Sequence, residues 1–224
     1  MDVNLNSKTL FAFMQAVQDP GRVERILVLA NELNLANPQT RDEVVAHVRS
    51  HPRAAAAFVE RPRMRITDLS KLAELPEGTL GRTYADAFIP KNLKPADTII
   101  PTLPLGDDRE YAVVHMNETH DVWHIVTGFG TDIAGELGLQ AFYAAQLSLN
   151  LPHAVLAAGF VNTMLFAWGD RHRRLSAICR GYILGLRADM LFGVPWASWL
   201  ERPLADVRRD LKIDLSLLEQ VMPA

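Results

Sequence analysis

Apolar residues along most of the chain recur at intervals of three and four, which is the spacing of residues on one face of an α-helix. The first two stripes are Leu10, Phe13, Met14, Val17 and Val23, Ile26, Leu27, Ala30. Sustained alternation of apolar and polar residues, which would indicate half-buried β-strands, is rare. The pattern therefore predicts an all-α fold, built as a bundle of several helices.

Residues that begin helices lie at the starts of these stripes. Ser7 is placed to cap the first helix and Pro20 to open the second. Thr40 and Glu43 have the spacing of a capping box, in which the two side chains satisfy free backbone amides. Pro203 is expected to open a short last helix. These signals divide the chain into separate helices of ordinary length.

The longest helical pattern runs from residue 109 to residue 189, with few interruptions by glycine or proline. Segment 90–108 is rich in proline but lacks the glycine and serine of a flexible tether, so we predict a crossing loop there. A chain of 224 residues is short enough for one hydrophobic core. We therefore predict a single domain over residues 1–224.

Charge and composition exclude several classes of protein. Lysine and arginine number 23 and aspartate and glutamate 26, so the net charge of −3 argues against a general nucleic-acid binder. The single cysteine, Cys179, excludes a disulfide framework and an all-cysteine zinc site. The N-terminal residues have neither a secretory core nor an arginine-rich presequence, so we expect no targeting segment and a cytoplasmic location.

The longest apolar stretch, residues 151–168, does not have the composition of a membrane-spanning helix. Pro152, His153, Asn162 and Thr163 interrupt it, whereas a spanning helix needs about 20 mostly apolar residues. We expect a buried helix, and a lipid-facing helix is the alternative because the large residues Phe160, Met164, Leu165 and Trp168 are clustered.

The residues with the clearest chemical potential are His120, Asp121 and His124. Positions 120 and 124 share one face of a helix, so both imidazole rings can reach a common point, and Asp121 can contribute from the flank. Two imidazoles and a carboxylate suit zinc or another borderline divalent metal. The same residues also fit a plain reading, in which the histidines are a solvated or packed pair and Asp121 is a helix N-terminal charge.

Glu136 is the candidate for a further metal ligand. On one straight helix it would lie about 18 Å beyond His124, so the chain must reverse between them. Gly128 and Gly130 permit such a turn, and Thr131 can cap the next helix. We therefore predict an αα-hairpin that returns Glu136 to the histidines. The alternative is that Glu136 is an ordinary surface residue.

The pattern His120-Asp121-x-x-His124 followed by Glu136 resembles the signature of the coenzyme Q (ubiquinone) biosynthesis protein 4 family. Four further parts of the chain are similar to blocks of that family: 75–84 (Leu-Pro-Glu-Gly-Thr-Leu-Gly-Arg-Thr-Tyr), Gly135 to Gln146, Leu151-Pro152, and a C-terminal segment with Pro203-Leu204 and Arg208-Arg209. The resemblance covers residues 75–213, and residues 1–74 match loosely, as helices of similar character. One departure is that the family's arginines before the His-Asp pair are missing, and only Glu118 is retained.

The resemblance implies a helical, peripherally membrane-associated protein of ubiquinone biosynthesis that acts on a polyprenylated hydroxybenzoate-derived intermediate. It implies a metal-dependent lyase that removes the C1 carboxylate of the ring, with His120, Asp121, His124 and Glu136 as metal ligands. We expect zinc first, with iron, cobalt and magnesium as alternatives. The implied partners are the prenylated quinone precursor, other ubiquinone-biosynthesis proteins, the membrane surface and a second copy of the chain.

A polyprenyl tail requires a long apolar groove between the helices that follow Glu136. The residues expected to line it are Phe142, Tyr143, Leu147, Phe160, Met164 and Trp168. Arg171, Arg173 and Arg174 form the densest basic cluster, which is either a solvated helix face or a contact for anionic lipid head groups. Helix core is the alternative for the apolar residues.

Two other functions compete with a decarboxylase. A non-catalytic scaffold would bind the prenyl lipid and organise other biosynthetic enzymes, with a structural metal or none. A metallophosphohydrolase of the HD type also centres on a His-Asp pair, and it would need His47 or His51 and Asp170 or Asp189 to converge on the same metal.

Overall fold

The computed structural model describes residues 6–36, 39–66, 68–95, 106–147 and 149–216. Over these residues the backbone forms helices, short 3₁₀ turns and loops, without a β-strand. The α-helices are α1 (Ser7–Gln18), α2 (Val23–Ala36), α3 (Thr40–Arg49), α4 (Pro52–Glu60), α5 (Leu80–Phe88), α6 (Asp108–Thr127), α7 (Ile133–Gln146), α8 (Asn150–Phe166), α9 (Arg171–Arg187), α10 (Trp196–Trp199) and α11 (Leu204–Asp210). The predicted all-α class is confirmed.

Three helix starts differ from the prediction by one residue, and a fourth differs by more: α2 begins at Val23, so Pro20 lies in the turn before it and does not open the helix. Asn6 caps α1, because its side chain accepts the Thr9 amide and leaves Ser7 as the first helical residue. Thr40 is likewise inside α3. At α7 the cap is Asp132 in place of Thr131, and its carboxylate accepts the Gly135 amide at 2.8 Å. An N-cap residue needs an extended backbone and a side chain that accepts the amide two or three residues further on. The spacing of apolar residues in the sequence does not show which of two adjacent polar residues meets both conditions.

The described residues group into two compact units. One comprises the residues up to His47 together with Phe129–Leu186, and the other comprises Val48–Gly128 and the residues from Arg187 onward.

The core of the first unit is formed where α1, α2 and α8 pack together. Small and medium side chains meet there, among them Ala12, Ala16 and Val17 of α1, Leu29 of α2 and Ala158 of α8. Close packing of alanines lets the helix backbones approach. Polar groups accompany it, since the buried Asn162 amide donates to the Val17 carbonyl oxygen at 2.8 Å.

The core of the second unit is an aromatic cluster around α4 and α6. Phe58 and Phe192 stack with their ring centroids 5.3 Å apart, and Tyr111 meets Phe58 edge to face at 5.8 Å. The start of α5 is tied to the chain that precedes α11, because the Leu80 and Gly81 amides donate to the Arg202 and Leu200 carbonyls. These contacts place α5 and α11 beside α6.

Most of the predicted crossing loop lies outside the described residues, which resume at Gly106 before α6. The long apolar stretch forms α8, whose buried side includes Val155, Ala158 and Asn162. Within the described part of the chain, no single helix has the length and apolar character to cross a membrane. One pair of consecutive helical segments is long and apolar enough only when the two are counted together: Asn150–Phe166 and Trp168–Arg187. The chain bends by 120° between them.

Candidate metal centre

Both histidines of the motif lie in the last two turns of α6. Asp107 caps this helix by accepting the Arg109 and Glu110 amides. The helix ends at Thr127, and Gly128 follows with a φ of 75°, a left-handed conformation that glycine adopts without a steric penalty. The predicted stop between residues 127 and 130 is therefore where the helix ends.

Five residues, 128–132, join α6 to α7, and the αα-hairpin itself stays a prediction. Gly135 lies against the backbone of Gly130, and a Cβ on Gly135 would come within 1.9 Å of the Gly130 carbonyl oxygen. Only glycine fits this approach. Glu136 is the next residue and lies in the first turn of α7, where the helix dipole favours a negative charge.

The structure brings His120, His124 and Glu136 together. One ligand atom of each residue lies within 4.8 Å of those of the other two. The two histidine Nε2 atoms are 3.2 Å apart, and their rings meet at 90° with centroids 4.8 Å apart. His124 is buried, whereas His120 and Glu136 are partly exposed. Glu136 is therefore not an isolated surface residue.

Asp121 has a different environment from the other three. It is buried, and its Oδ2 accepts a hydrogen bond of 2.7 Å from the hydroxyl of Tyr84 in α5. It lies in the fourth turn of α6, so it is not a helix N-terminal charge. Asp121 is not in the three-residue cluster, and its role as a metal ligand stays a prediction. Tyr84 belongs to the family-like block 75–84, but only the fold shows what it contacts.

The chemistry of the donor set fits a divalent metal. Ligand atoms about 2.0–2.2 Å from a tetrahedral zinc are about 3.3–3.6 Å from one another. The 3.2 Å between the two Nε2 atoms is close to this spacing, and the wider limit of 4.8 Å leaves room for a small adjustment of Glu136. Two imidazoles and one carboxylate also match catalytic zinc sites, which keep a position for water or substrate.

Glu118 and His115 form a separate polar group on α6. Glu118 accepts two bonds from Arg63 Nε, at 2.8 and 2.9 Å, and one from the Met64 amide at 3.0 Å. Burial alone would raise the pKa of Glu118, but Arg63 and the Met64 amide outweigh it and hold that pKa below its usual range. Arg63 lies far away in the sequence, and no local pattern indicates this pairing.

The six residues expected to line a prenyl groove fall into two environments. Phe142, Tyr143 and Leu147 are buried, as in the packing alternative. Phe160, Met164 and Trp168 are about half exposed or more, at 47%, 60% and 62%. Lipid binding by any of them stays a prediction.

The basic cluster in the first turn of α9 is largely neutralised. Arg173 pairs with Asp170 and Asp132, at 2.8 and 2.5 Å. Arg174 is buried and donates to Asp170, Asn162 and Thr163. Arg171 stacks over the Trp168 ring with its guanidinium carbon 4.8 Å from the centroid. Little of this charge is available for lipid head groups.

The residues nominated for an HD-type phosphohydrolase have other partners. The His47 Nε2 lies 3.1 Å from the Gln146 carbonyl, and His51 contacts Ser50. Asp170 pairs with Arg173 and Arg174, and Asp189 pairs with Lys212 at 2.7 Å. None of the four belongs to the His/Glu cluster.

Comparisons with known proteins agree on one family. The sequence profile described as coenzyme Q (ubiquinone) biosynthesis protein Coq4 matches residues 2–216. The mitochondrial ubiquinone biosynthesis protein COQ4 homolog of Homo sapiens is 34% identical over 201 residues, which are 88% of this chain and 74% of that protein. The homolog of Bos taurus is 31% identical with the same coverage.

A solved structure is also similar. The crystal structure of a ubiquinone biosynthesis protein from Nostoc punctiforme PCC 73102 superposes with a TM-score of 0.80 at 29% sequence identity. The match covers 95% of this chain and all of that one.

Proposed function

The chain belongs to the Coq4 family of ubiquinone biosynthesis proteins, and from this premise we propose that it is a metal-dependent enzyme acting on the head group of a prenylated precursor. The observation that carries the proposal is that ligand atoms of His120, His124 and Glu136 lie within 4.8 Å of one another. The reaction we propose is removal of the C1 carboxylate from a polyprenylated hydroxybenzoate-derived ring.

Three residues of the site would bind the metal, and a fourth residue orients Asp121 beside them. His120 and His124 would bind a divalent ion through Nε2, and Glu136 through its carboxylate. A bound ion supplies a Lewis acid for a carboxylate or phenolic oxygen and lowers the energy of negative charge on the ring. Tyr84 fixes Asp121 in one orientation beside His120, which limits the reorganisation of the site during reaction.

The proposed reaction is balanced without a further reagent. The bond between C1 and the carboxylate carbon breaks, its electron pair stays on C1, carbon dioxide leaves and a proton takes its place. An oxidative version, which puts a hydroxyl at C1, additionally needs an oxidant and a redox-active metal such as iron. Product analysis separates the two reactions.

The first prediction concerns His124→Ala. We expect this variant to lose metal and at least about 100-fold in release of labelled carbon dioxide from a carboxyl-labelled prenylated substrate, because one of two imidazole donors is removed. Helix content should be kept, since alanine is the better helix former. Metal content is measured by elemental analysis after dialysis, and folding by circular dichroism.

The matched control is His172→Ala, which removes an exposed histidine of α9 outside the cluster. It should retain metal and activity. A folded, metal-free His124→Ala that turns over like the unaltered protein would contradict the proposal.

A second candidate is a prenyl-lipid-binding scaffold that organises other ubiquinone-biosynthesis enzymes. The exposed side chains of Phe160, Met164 and Trp168 favour it, because large apolar groups at a surface mark binding sites for lipid or protein. The same variant separates the candidates. A scaffold would keep lipid binding and partner capture in His124→Ala and would show no turnover in the unaltered protein.

A further inference from the structure

The end of α6 is held by an arginine from a distant part of the chain. Arg208 of α11 donates from Nε to the Val126 carbonyl and from Nη2 to the Ile125 carbonyl, both at 2.9 Å. These carbonyls directly follow His124 in the sequence. One guanidinium therefore closes the last turn of the helix that carries both histidines.

The need for this contact follows from the chain reversal. In a continuing helix the carbonyls of Ile125 and Val126 would accept amides four residues on. The left-handed Gly128 ends the helix, and its own amide returns to the His124 carbonyl at 2.9 Å. The reversal that brings Glu136 back thus takes away the backbone donors, and Arg208 supplies replacements.

The charge of Arg208 is used differently from that of its neighbours. Arg202 and Arg209 pair with aspartates of α11, whereas no carboxylate among the described residues lies within ion-pair distance of Arg208. Arg208 is partly buried, and burial lowers its pKa. Its partner is the negative end of the α6 dipole, where a cation is favourable. The guanidinium fork matches two adjacent carbonyls, which a lysine cannot do in the same way.

From this geometry we propose that Arg208 is a positioning residue of the metal centre. It holds the last turn of α6 in the conformation that binds metal. This turn carries His124 and leads into the chain segment before Glu136. The proposal rests on the proposed function for its metal, but the contact itself exists without one. Arg208 does not touch the His/Glu cluster and acts through the backbone of residues 125 and 126.

The experiment compares Arg208→Met, Arg208→Lys and the control Arg209→Met. The control removes an exposed arginine from the adjacent position of α11. Metal-free protein is titrated with cobalt(II), whose visible absorbance reports ligand geometry, and zinc affinity is measured by competition with a chelator. Each titration is done well below the unfolding temperature of the variant concerned.

We expect Arg208→Met to weaken zinc and cobalt binding by about 10- to 100-fold, the usual loss when an outer support of a metal site is removed. Its cobalt spectrum should change, and Arg208→Lys should lie between it and the unaltered protein. Arg209→Met should match the unaltered protein. Unaltered affinity and spectrum in a folded Arg208→Met would overturn the proposal.

A second readout does not depend on metal. Amide exchange of residues 122–128 in metal-free protein should be faster in Arg208→Met, because the last turn opens more often. If the unaltered protein binds no metal, the proposed function fails while this exchange still tests the contact. If Arg208→Met does not fold, Arg208→Lys carries both measurements, and equal exchange and affinity there would overturn the inference.

Discussion

Single side chains of α6 illustrate how burial decides ionisation. The His115 ring is 1% exposed, and its Nε2 accepts the Gly193 amide at 3.1 Å. That bond places the ring proton on Nδ1, which lies 3.3 Å from the Tyr111 hydroxyl, and this hydroxyl in turn donates to the Pro62 carbonyl. These contacts give each nitrogen of a neutral imidazole ring a hydrogen-bonding partner. Burial accordingly lowers the pKa of His115 to about 4.

This low pKa predicts a loss of stability in mild acid. The unfolded chain binds the proton near pH 6.5 and the folded protein only near 4, so the stabilisation is complete above 6.5 and is lost as the pH falls toward 4. At about 1.4 kcal/mol per pH unit, the loss is about 3 kcal/mol. We expect the free energy of unfolding, measured by urea titration between pH 7 and pH 5, to fall in the unaltered protein.

The comparison is His115→Gln, which cannot take up a proton. Its stability should be lower at pH 7, because the ring is lost, but should depend less on pH between 6.5 and 5. Chelator is present throughout, so that metal binding by the other histidines does not contribute. Parallel pH profiles for the two proteins would show that His115 is not the titrating group.

At the scale of elements, the turn between α6 and α7 separates the two histidines from Glu136 in the chain. This turn combines a left-handed glycine, an aspartate cap and the contact of Gly135 with Gly130. The direction in which α7 leaves the turn depends on that contact, because any side chain at 135 would push the two backbones apart.

We therefore predict that Gly135→Ala destabilises the protein by about 1–3 kcal/mol, the usual cost of overpacking. The sign of the change in unfolding free energy distinguishes the two cases. In an unobstructed helix, replacing glycine by alanine stabilises by up to about 1 kcal/mol. Zinc affinity should fall as well, because Glu136 is the next residue. Thermal unfolding and chelator competition measure the two effects.

Gly169→Ala is the matched control, because nothing lies within 4 Å of a Cβ at that glycine. Its stability should stay within about 0.5 kcal/mol of the unaltered protein. A Gly135→Ala protein that is as stable and binds zinc as tightly as this control would show that the close approach is not required.

At the scale of the whole molecule, large apolar side chains are concentrated at the end of α8. Phe160, Met164, Leu165, Phe166 and Trp168 are all exposed. The arginines that follow are mostly paired with carboxylates, so attraction to anionic lipid would be weaker than the sequence suggests. We infer a peripheral membrane contact made mainly by apolar groups, which suits a substrate with a polyprenyl tail.

The corresponding prediction concerns the triple variant Phe160→Ser, Met164→Ser, Trp168→Ser. Partial burial of a large apolar side chain in lipid contributes about 1 kcal/mol or more. The variant should therefore lose about 100-fold in affinity for phospholipid vesicles, measured by flotation. Raising the salt concentration should release the unaltered protein only in part.

Val59→Ser serves as control, since Val59 is 83% exposed but lies in α4, away from α8 in the sequence. It should bind vesicles like the unaltered protein. Equal binding by the triple variant would place the membrane contact elsewhere. Release by detergent alone would indicate that α8 inserts.

The helical class, the end of α6 near Gly128 and the grouping of His120, His124 and Glu136 could all be predicted from the sequence, whereas the role of these three residues as metal ligands stays a prediction. These features depend mainly on local physics, because helical spacing puts residues 120 and 124 on one face, and a glycine such as Gly128 can adopt the left-handed conformation that ends a helix. The family blocks pointed to the same residues, and the comparisons confirm the family. Cap positions were wrong by one residue, since neighbouring polar side chains compete for the same amides.

Which residues support the centre, and which side chains reach the surface, depends on tertiary contacts that no local pattern predicts. The contacts of Tyr84 with Asp121 and of Arg208 with the end of α6 join positions 37 and 82 or 83 residues apart. Hydrophobicity indicates that a side chain avoids water but not what it packs against, so Phe142 and Phe160 looked alike in the sequence. Packing buried the first and left the second exposed, because each helix has one face for its neighbours and another for solvent.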